Sequence, residues 1–156
     1  MSARDRAVEG AQAILERLLA ETGASRTTLR LDDAALGFHI DDVVAEALAP
    51  GERSMRGEGT INHRAAHTGQ WVERHRRILV QNDLSATDFP APLGLTQGFG
   101  VKAQMLAPVE RDGRLDGWIS VHDAKAPRTW SAEDQEAAMR AVADVLALLG
   151  SAPHSA

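Results

Sequence analysis

Near the start of the chain apolar residues recur every three or four positions, at Ala7, Ala11, Ile14 and Leu18, with Leu15 and Leu19 beside them. That period predicts an opening helix with one apolar stripe turned to a core. Ser2 is placed to cap it with Asp5 three residues on, and Gly23 to end it. The period then changes. "SRTTLRL", Ser25 to Leu31, alternates and carries β-branched residues, the mark of a strand. Between Asp32 and Leu48 we expect a turn at Asp32-Asp33, a strand near Leu36 to Ile40 and a short extended or helical piece, broken by Pro50-Gly51. A short helix is expected from Thr60 to Val72, with Gly69 its weak point, and then a strand from Arg77 to Asp83. The apolar centre of that strand, Ile78-Leu79-Val80, reads as buried on both faces.

"LSATDFPAPLGLTQGFG", Leu84 to Gly100, is 17 residues with two prolines and three glycines. A connection of that length is usually a binding segment or lid, and Phe89, Leu93, Leu95 and Phe99 predict that it packs onto something. Two strands follow, Val101 to Glu110 and Arg114 to His122, joined by an Asp-Gly hairpin. Ser131 and Asp134 form a capping-box pattern for the last helix. Its two adjacent apolar rows, Met139-Val142-Leu146-Leu149 and Ala138-Ala141-Val145-Leu148, predict contact with another helix or a second subunit as well as a sheet. The order is α-β-β-α-β-loop-β-β-α. A closing hairpin with segregated terminal helices is an α+β layout.

Composition narrows the class. A chain of 156 residues with 44% apolar and 25% charged residues fits one globular domain, here residues 1–150, with 151–156 expected to be a disordered tail. A net charge of -5 offers no footprint for nucleic acid or an anionic membrane, and the Arg74, Arg76, Arg77 cluster reads as a solvated face. With no cysteine there is no disulfide, thiolate metal site or cysteine nucleophile. The N-terminus lacks the apolar run of a secretion signal, and no stretch is apolar enough to span a bilayer; we expect a cytoplasmic location.

The element order and the segment Phe99 to Leu149 resemble the GAF domain, a small-molecule sensor module related to PAS domains. The shared features are a Gly-Val strand, a Pro, a glycine hairpin, a Gly-Trp strand ending in His, then Arg-x-Trp-Ser and a final helix. "LERLLAETGASRTTLRL" is similar to the family's opening helix and first strand. Residues 32–76 match by order of elements alone. The resemblance implies a GAF/PAS-like antiparallel sheet, with the N- and C-terminal helices on one face and a ligand-cavity loop region on the other. It also places His122 where the phytochrome branch has a histidine near its bilin. Covalent bilin attachment and the reductase chemistry known on this fold both need a cysteine, which the chain lacks.

Strand alternation puts Trp118, Ser120 and His122 on one face and Ile119 and Val121 on the other. The resemblance makes the Trp/Ser/His face the cavity side and adds Gln104 from the neighbouring strand. His122 serves equally well as a strand-end hydrogen-bonding group. The expected ligand contacts are Trp118 and Phe99 as apolar wall, Gln104 and His122 as hydrogen-bonding groups, and Arg77 or Asp83 as a charged or polar end. Asn82 is expected to do turn chemistry. His63 and His67 have the i,i+4 spacing of a metal pair but lack the Glu of a zinc-protease motif, and chance pairing on a polar face is the simpler account. Ser120, His122 and Asp123 do not make a triad, because strand neighbours point to opposite faces. Arg128 is expected to latch the loop before the last helix through Trp130 or a salt bridge.

Together these give a stand-alone cytoplasmic module that binds a small organic ligand without a cofactor or covalent bond. It would act as a homodimer through its N- and C-terminal helices. Two alternatives stay open. One is a GAF-fold hydrolase or isomerase using His122 with Asp83, with metal assistance at His63 and His67. The other is a dimerisation scaffold with no ligand.

Overall fold

Two long strands near the C-terminus organise the sheet. β4 (Ala103–Arg111) and β5 (Arg114–Asp123) pair antiparallel across a two-residue turn at Asp112-Gly113. Both turn residues have positive φ, 54° and 76°, which the tight twisted hairpin turn requires and which Gly113 accepts at little cost. β1 (Arg26–Leu31) pairs on the other side of β5, Arg26 opposite His122 and Leu31 opposite Gly117. β2 (Ala45–Leu48) and β3 (Leu79–Gln81) close the edges, giving five strands in the order β2-β1-β5-β4-β3, every pair antiparallel. The computed structural model describes residues 1–150; the tail of residues 151–156 lies outside the described residues.

One face of this sheet is covered by α1 (Ala3–Thr22) and α4 (Ala132–Gly150). Leu15 and Leu18 from α1 and Ala138 and Val145 from α4 pack with Leu29, Leu31, Met105, Ile119 and Val121 in one buried core. α1 is capped as its sequence predicts: the Asp5 N–H donates to Ser2 Oγ at 3.0 Å, and the Ser2 N–H to the Asp5 carboxylate at 3.2 Å. Ser131 and Asp134 exchange the same pair of bonds at the start of α4, both at 3.0 Å. The wide apolar face of α4 is met largely by α1 and the sheet. The other sheet face carries α2 (His67–His75), α3 (Leu93–Thr96) and the long connections. The α+β class and the placement of the terminal helices are as expected. Among the described residues no helix is long and apolar enough to cross a membrane.

The middle of the chain departs from expectation. Residues 33–38 form a tight turn with a single bridge between Asp33 and Phe38, so the strand expected at Leu36 to Ile40 is absent. The Asp33 carboxylate accepts from the Leu36 N–H at 3.0 Å, and Arg4 donates to the Leu36 and Gly37 carbonyls, which leaves those groups unavailable to a sheet. The second strand is instead Ala45–Leu48, whose Ala45 and Ala47 face the helices. The helix expected from Thr60 begins only at His67 and continues to His75. β3 is a three-residue edge strand; Leu79 is buried, while Ile78 and Val80 are only partly so. The Leu84 to Gly100 connection does pack: Phe89, Leu95 and Phe99 join buried clusters, and Leu93 alone of its large apolar residues stands well exposed.

At Gly117 the β1 and β5 backbones approach so closely that a Cβ would stand 1.9 Å from the Arg30 carbonyl oxygen. Backbone cannot yield as a side chain does. Gly117→Ala is therefore expected to destabilise the fold by about 3 kcal/mol, at the upper end of ordinary overpacking, read as a lower urea midpoint. An unchanged midpoint would show that the two strands are not held at this separation.

Candidate functional site

Beneath the loops lies a cavity of about 30 Å³. Its floor is the sheet: Thr28 and Arg30 from β1, Gln104 and Leu106 from β4, Trp118, Ser120 and His122 from β5. These are the alternate positions of three neighbouring strands, the ones the pleat turns away from α1 and α4. Its roof is Met55, Ile61, His63, Thr68, Pro92 and Leu95, contributed by the connections and the start of α2. The volume has room for a water or two, or for a very small solute.

The sheet face under the cavity is unusually charged for a place so buried. Arg26 and Arg30 are 1% and 2% exposed, and both remain cations at any ordinary pH. Arg26 is well served: its Nη2 and Nε donate to the Arg53 carbonyl at 2.7 and 3.2 Å, and the Phe99 ring lies 5.3 Å from its guanidinium carbon. Its Nη1 lies 3.2 Å from Nδ1 of His122. A guanidinium only donates, so Nδ1 is the acceptor and the proton of the neutral ring sits on Nε2. Burial, reinforced by Arg26 and Arg30, holds the His122 pKa well below its ordinary value. Burial and then Arg30 bring His63 down to about 4. Both imidazoles are therefore neutral at neutral pH.

Arg30 is served less completely. Its Nη1 donates to the Asp41 carbonyl at 2.8 Å and to that of Ile40 at 3.4 Å, but its buried Nη2 has no hydrogen-bond partner. The Thr28 hydroxyl, two residues away on the same strand face, is likewise buried and unpartnered. Polar groups left in this condition cost about 1–3 kcal/mol each, so the fold tolerates them only where something else is gained. Gln104 commits its Nε2 to Gln81 Oε1 at 2.8 Å, which leaves its amide oxygen to accept from another partner. Trp118 supplies the apolar floor, with the His63 ring tilted against it at 6.5 Å.

Of the residues expected at a site, Trp118, Gln104 and His122 come together here. Phe99 stands one layer behind, stacked over Arg26 and Arg53. Arg77 is exposed, over the ring of Trp71 at 5.5 Å, and outside the cavity. Asp83 is also outside: it turns back on Ser85, accepting from its N–H at 3.0 Å and its hydroxyl at 2.6 Å, and borders an outer groove with Lys102 and Lys125. An acid–base pair of His122 with Asp83 is therefore not formed. Asp123 accepts from the Lys125 and Ala126 N–H groups and from Arg128, which removes it from any dyad with His122. His63 lies in the turn before α2 and exposed His67 at its first residue, so they share no helix face. Among the described residues no three His, Cys, Asp or Glu side chains are grouped as metal ligands would be.

Arg128 is the latch its sequence context suggests. It stacks on Trp130 at 4.2 Å, pairs with Asp134 at 3.0 Å and donates to the Thr22 carbonyl at the end of α1 at 2.9 Å. Asn82 completes the corner by accepting from the Trp130 N–H at 3.1 Å. Arg26, Thr28 and Arg30 were not among the expected site residues. Their signal was present in "RTTLRL", where polar residues alternate with leucines on a strand that must be half core.

The GAF domain model matches residues 7–149. The chain belongs to the GAF domain family. Over 122 residues, 74% of either chain, it is 30% identical to an uncharacterized protein of Picosynechococcus sp.. Among solved structures this GAF domain superposes on the cyanobacteriochrome receptor PixJ with a TM-score of 0.75 at 22% identity, covering 94% of this chain and 97% of that one. For the blue-light absorbing form of the Thermosynechococcus elongatus PixJ GAF domain the values are 0.70 and 25%, over 91% and 86%. For the phycocyanobilin-bound GAF domain of a cyanobacterial phytochrome they are 0.71 and 18%, over 97% and 86%. Likeness at this level of identity establishes the fold.

The neutral histidines make the domain acid-sensitive. A histidine with a depressed folded-state pKa lets the unfolded chain, titrating near 6.5, take up protons first, so stability is full above about pH 6.5 and falls as pH drops towards the folded value. For His63 that window runs from about 6.5 to about 4. His122→Gln keeps an acceptor for Arg26 but cannot charge. Urea unfolding at about pH 7.5 and pH 5 should show a smaller loss for this variant than for the parent. Equal losses would mean that His122 is not held neutral.

Proposed function

We propose that this GAF domain is a sensor module that binds a small organic molecule non-covalently in the cavity over β1, β4 and β5. The observation that carries the reading is the pair of buried, unpartnered polar groups, Arg30 Nη2 and Thr28 Oγ1, in one enclosed space with Trp118, Gln104 and His122. An apolar cavity wall with a few placed polar groups is the usual anatomy of a ligand site. A core meant only to be filled by its own side chains gains nothing from an unpaired guanidinium N–H.

The phycocyanobilin of the phytochrome GAF domain does not carry over to this chain as a group attached through cysteine. The chain has no cysteine for attachment. A cavity of about 30 Å³ also falls far short of the roughly 300–1,000 Å³ that drug-sized ligands occupy. The ligand is therefore much smaller than a tetrapyrrole, and entry requires the roof, from Met55 to His63 and from Pro92 to Leu95, to lift. Its presence would be passed on through β5, whose His122 is followed by Asp123, the group that holds Arg128 between the end of α1 and the start of α4. The proposed setting is the cytoplasm, with a second copy of the chain on the outer faces of α1 and α4.

A thermal-shift screen of small metabolites tests the sensor reading. A ligand at about 100 times its Kd should stabilise the protein by about 2.7 kcal/mol, and His122→Ala should abolish the shift. No stabiliser across a broad library would favour a scaffold over a sensor. Sedimentation should give twice the chain mass; a monomer at micromolar concentration would remove the dimer from the account.

A further inference from the structure

We infer that the cavity is built for a small organic monocarboxylate, its carboxylate held by Arg30 and Thr28 and its short tail lying on Trp118 and Leu106. This rests on the sensor reading above and names the chemistry of the occupant.

The charge of Arg30 is the first argument. Arg64, Arg111 and Arg128 each sit on a carboxylate within 3.0 Å. Arg30, far more buried, has none within 4.0 Å among the described residues. Burying a cation without a counter-ion is costly, and backbone carbonyls repay only part of it. Four carboxylates, those of Asp41, Glu46, Glu58 and Asp42, act on its charge from a distance, and none is in contact with it. Asp41 accepts from the His63 N–H, Glu46 from the Met55 N–H at 2.8 Å, and Glu58 from the N–H groups of Thr60 and Ile61. A counter-ion in direct contact with Arg30 is thus not supplied by these side chains.

The shape of the unmet demand is the second argument. One guanidinium NH2 group and one hydroxyl, on the same strand face two residues apart, offer donors to the two oxygens of a carboxylate. A phosphate dianion asks for more charge and more donors than are free. Arg26 is already spent on Arg53 and His122, and both histidines are acceptors or neutral donors. A bare inorganic anion would leave Trp118, Leu106, Leu95 and Ile61 facing nothing it can use. A carboxylate with a short organic tail satisfies both ends of the cavity, and the volume of about 30 Å³, enlarged only as the roof lifts, limits that tail to about one or two carbons.

Titration of the full chain with propionate and, separately, with propionamide tests the assignment, followed by the backbone amide resonances of Arg30, Ser120 and His122. Propionate should move them saturably, and its neutral amide should bind about tenfold more weakly or worse. Arg30→Met should lose about tenfold for propionate and little for propionamide. Thr28→Val, a near-isosteric change that keeps the proposal testable if Arg30→Met does not fold, should weaken propionate a few-fold. Equal binding of acid and amide overturns the carboxylate assignment and leaves the sensor reading in place. If neither moves these resonances the assignment also falls, and the sensor reading is then decided by the metabolite screen alone.

Discussion

The structure depends on β5 being paired on both sides. Flanked by β1 and β4 over most of its length, it has no freedom to slip, and a one-residue shift would exchange its two faces. In the register observed, Ile119 and Val121 complete the core under α1 and α4, while Trp118, Ser120 and His122 become the floor of the cavity. The same pairing sets Arg26 opposite His122 and Arg30 opposite Trp118. The close backbone approach at Gly117 follows from it as well. One strand thus divides the molecule into a helix-covered half that holds the main core and a loop-covered half that holds the cavity.

What that second half contains follows from electrostatics in a buried place. Two guanidiniums on one face of β1 must be compensated, and the fold does so unequally. Arg26 receives the Arg53 carbonyl, an aromatic face and a neutral imidazole. In accepting from Arg26, His122 is held neutral, with its Nε2–H as the remaining donor. Arg30 keeps one terminal nitrogen, Nη2, without a partner. Buried ionic groups of this kind seldom add stability; a ligand that completes one of them would explain why it is there.

The sequence carried the parts of the fold that rest on local chemistry. Both capping boxes, the Asp-Gly hairpin and the alternation of the last two strands were legible because each is set by neighbours a few residues apart. Which residues share a face of β5 was legible for the same reason; that this face and Gln104 line the cavity followed from the resemblance to GAF domains. The middle of the chain was not. Leu36 to Ile40 alternate as a strand would, but the Asp33 side chain and Arg4, distant in sequence, hold residues 33–38 in a turn. The short edge strand Ala45–Leu48 has little hydrophobic pattern of its own and exists because β1 offers it a partner. Arg77 and Asp83 looked eligible as strand-end residues, yet β3 is so short that both fall beyond the sheet. Arg26 and Arg30 were overlooked because buried arginines are rare enough that alternation alone did not identify them.

The central claim is that the space over β5 is a ligand site and not a core completed by its own side chains. A crystal structure of the protein purified without denaturation, at about 2 Å or better, addresses it most directly. The account predicts an enclosed space holding a small molecule in contact with Arg30 Nη2 and Thr28 Oγ1. A cavity closed by Trp118 or Leu95, with Arg30 paired to Asp41 or Glu58, would contradict it.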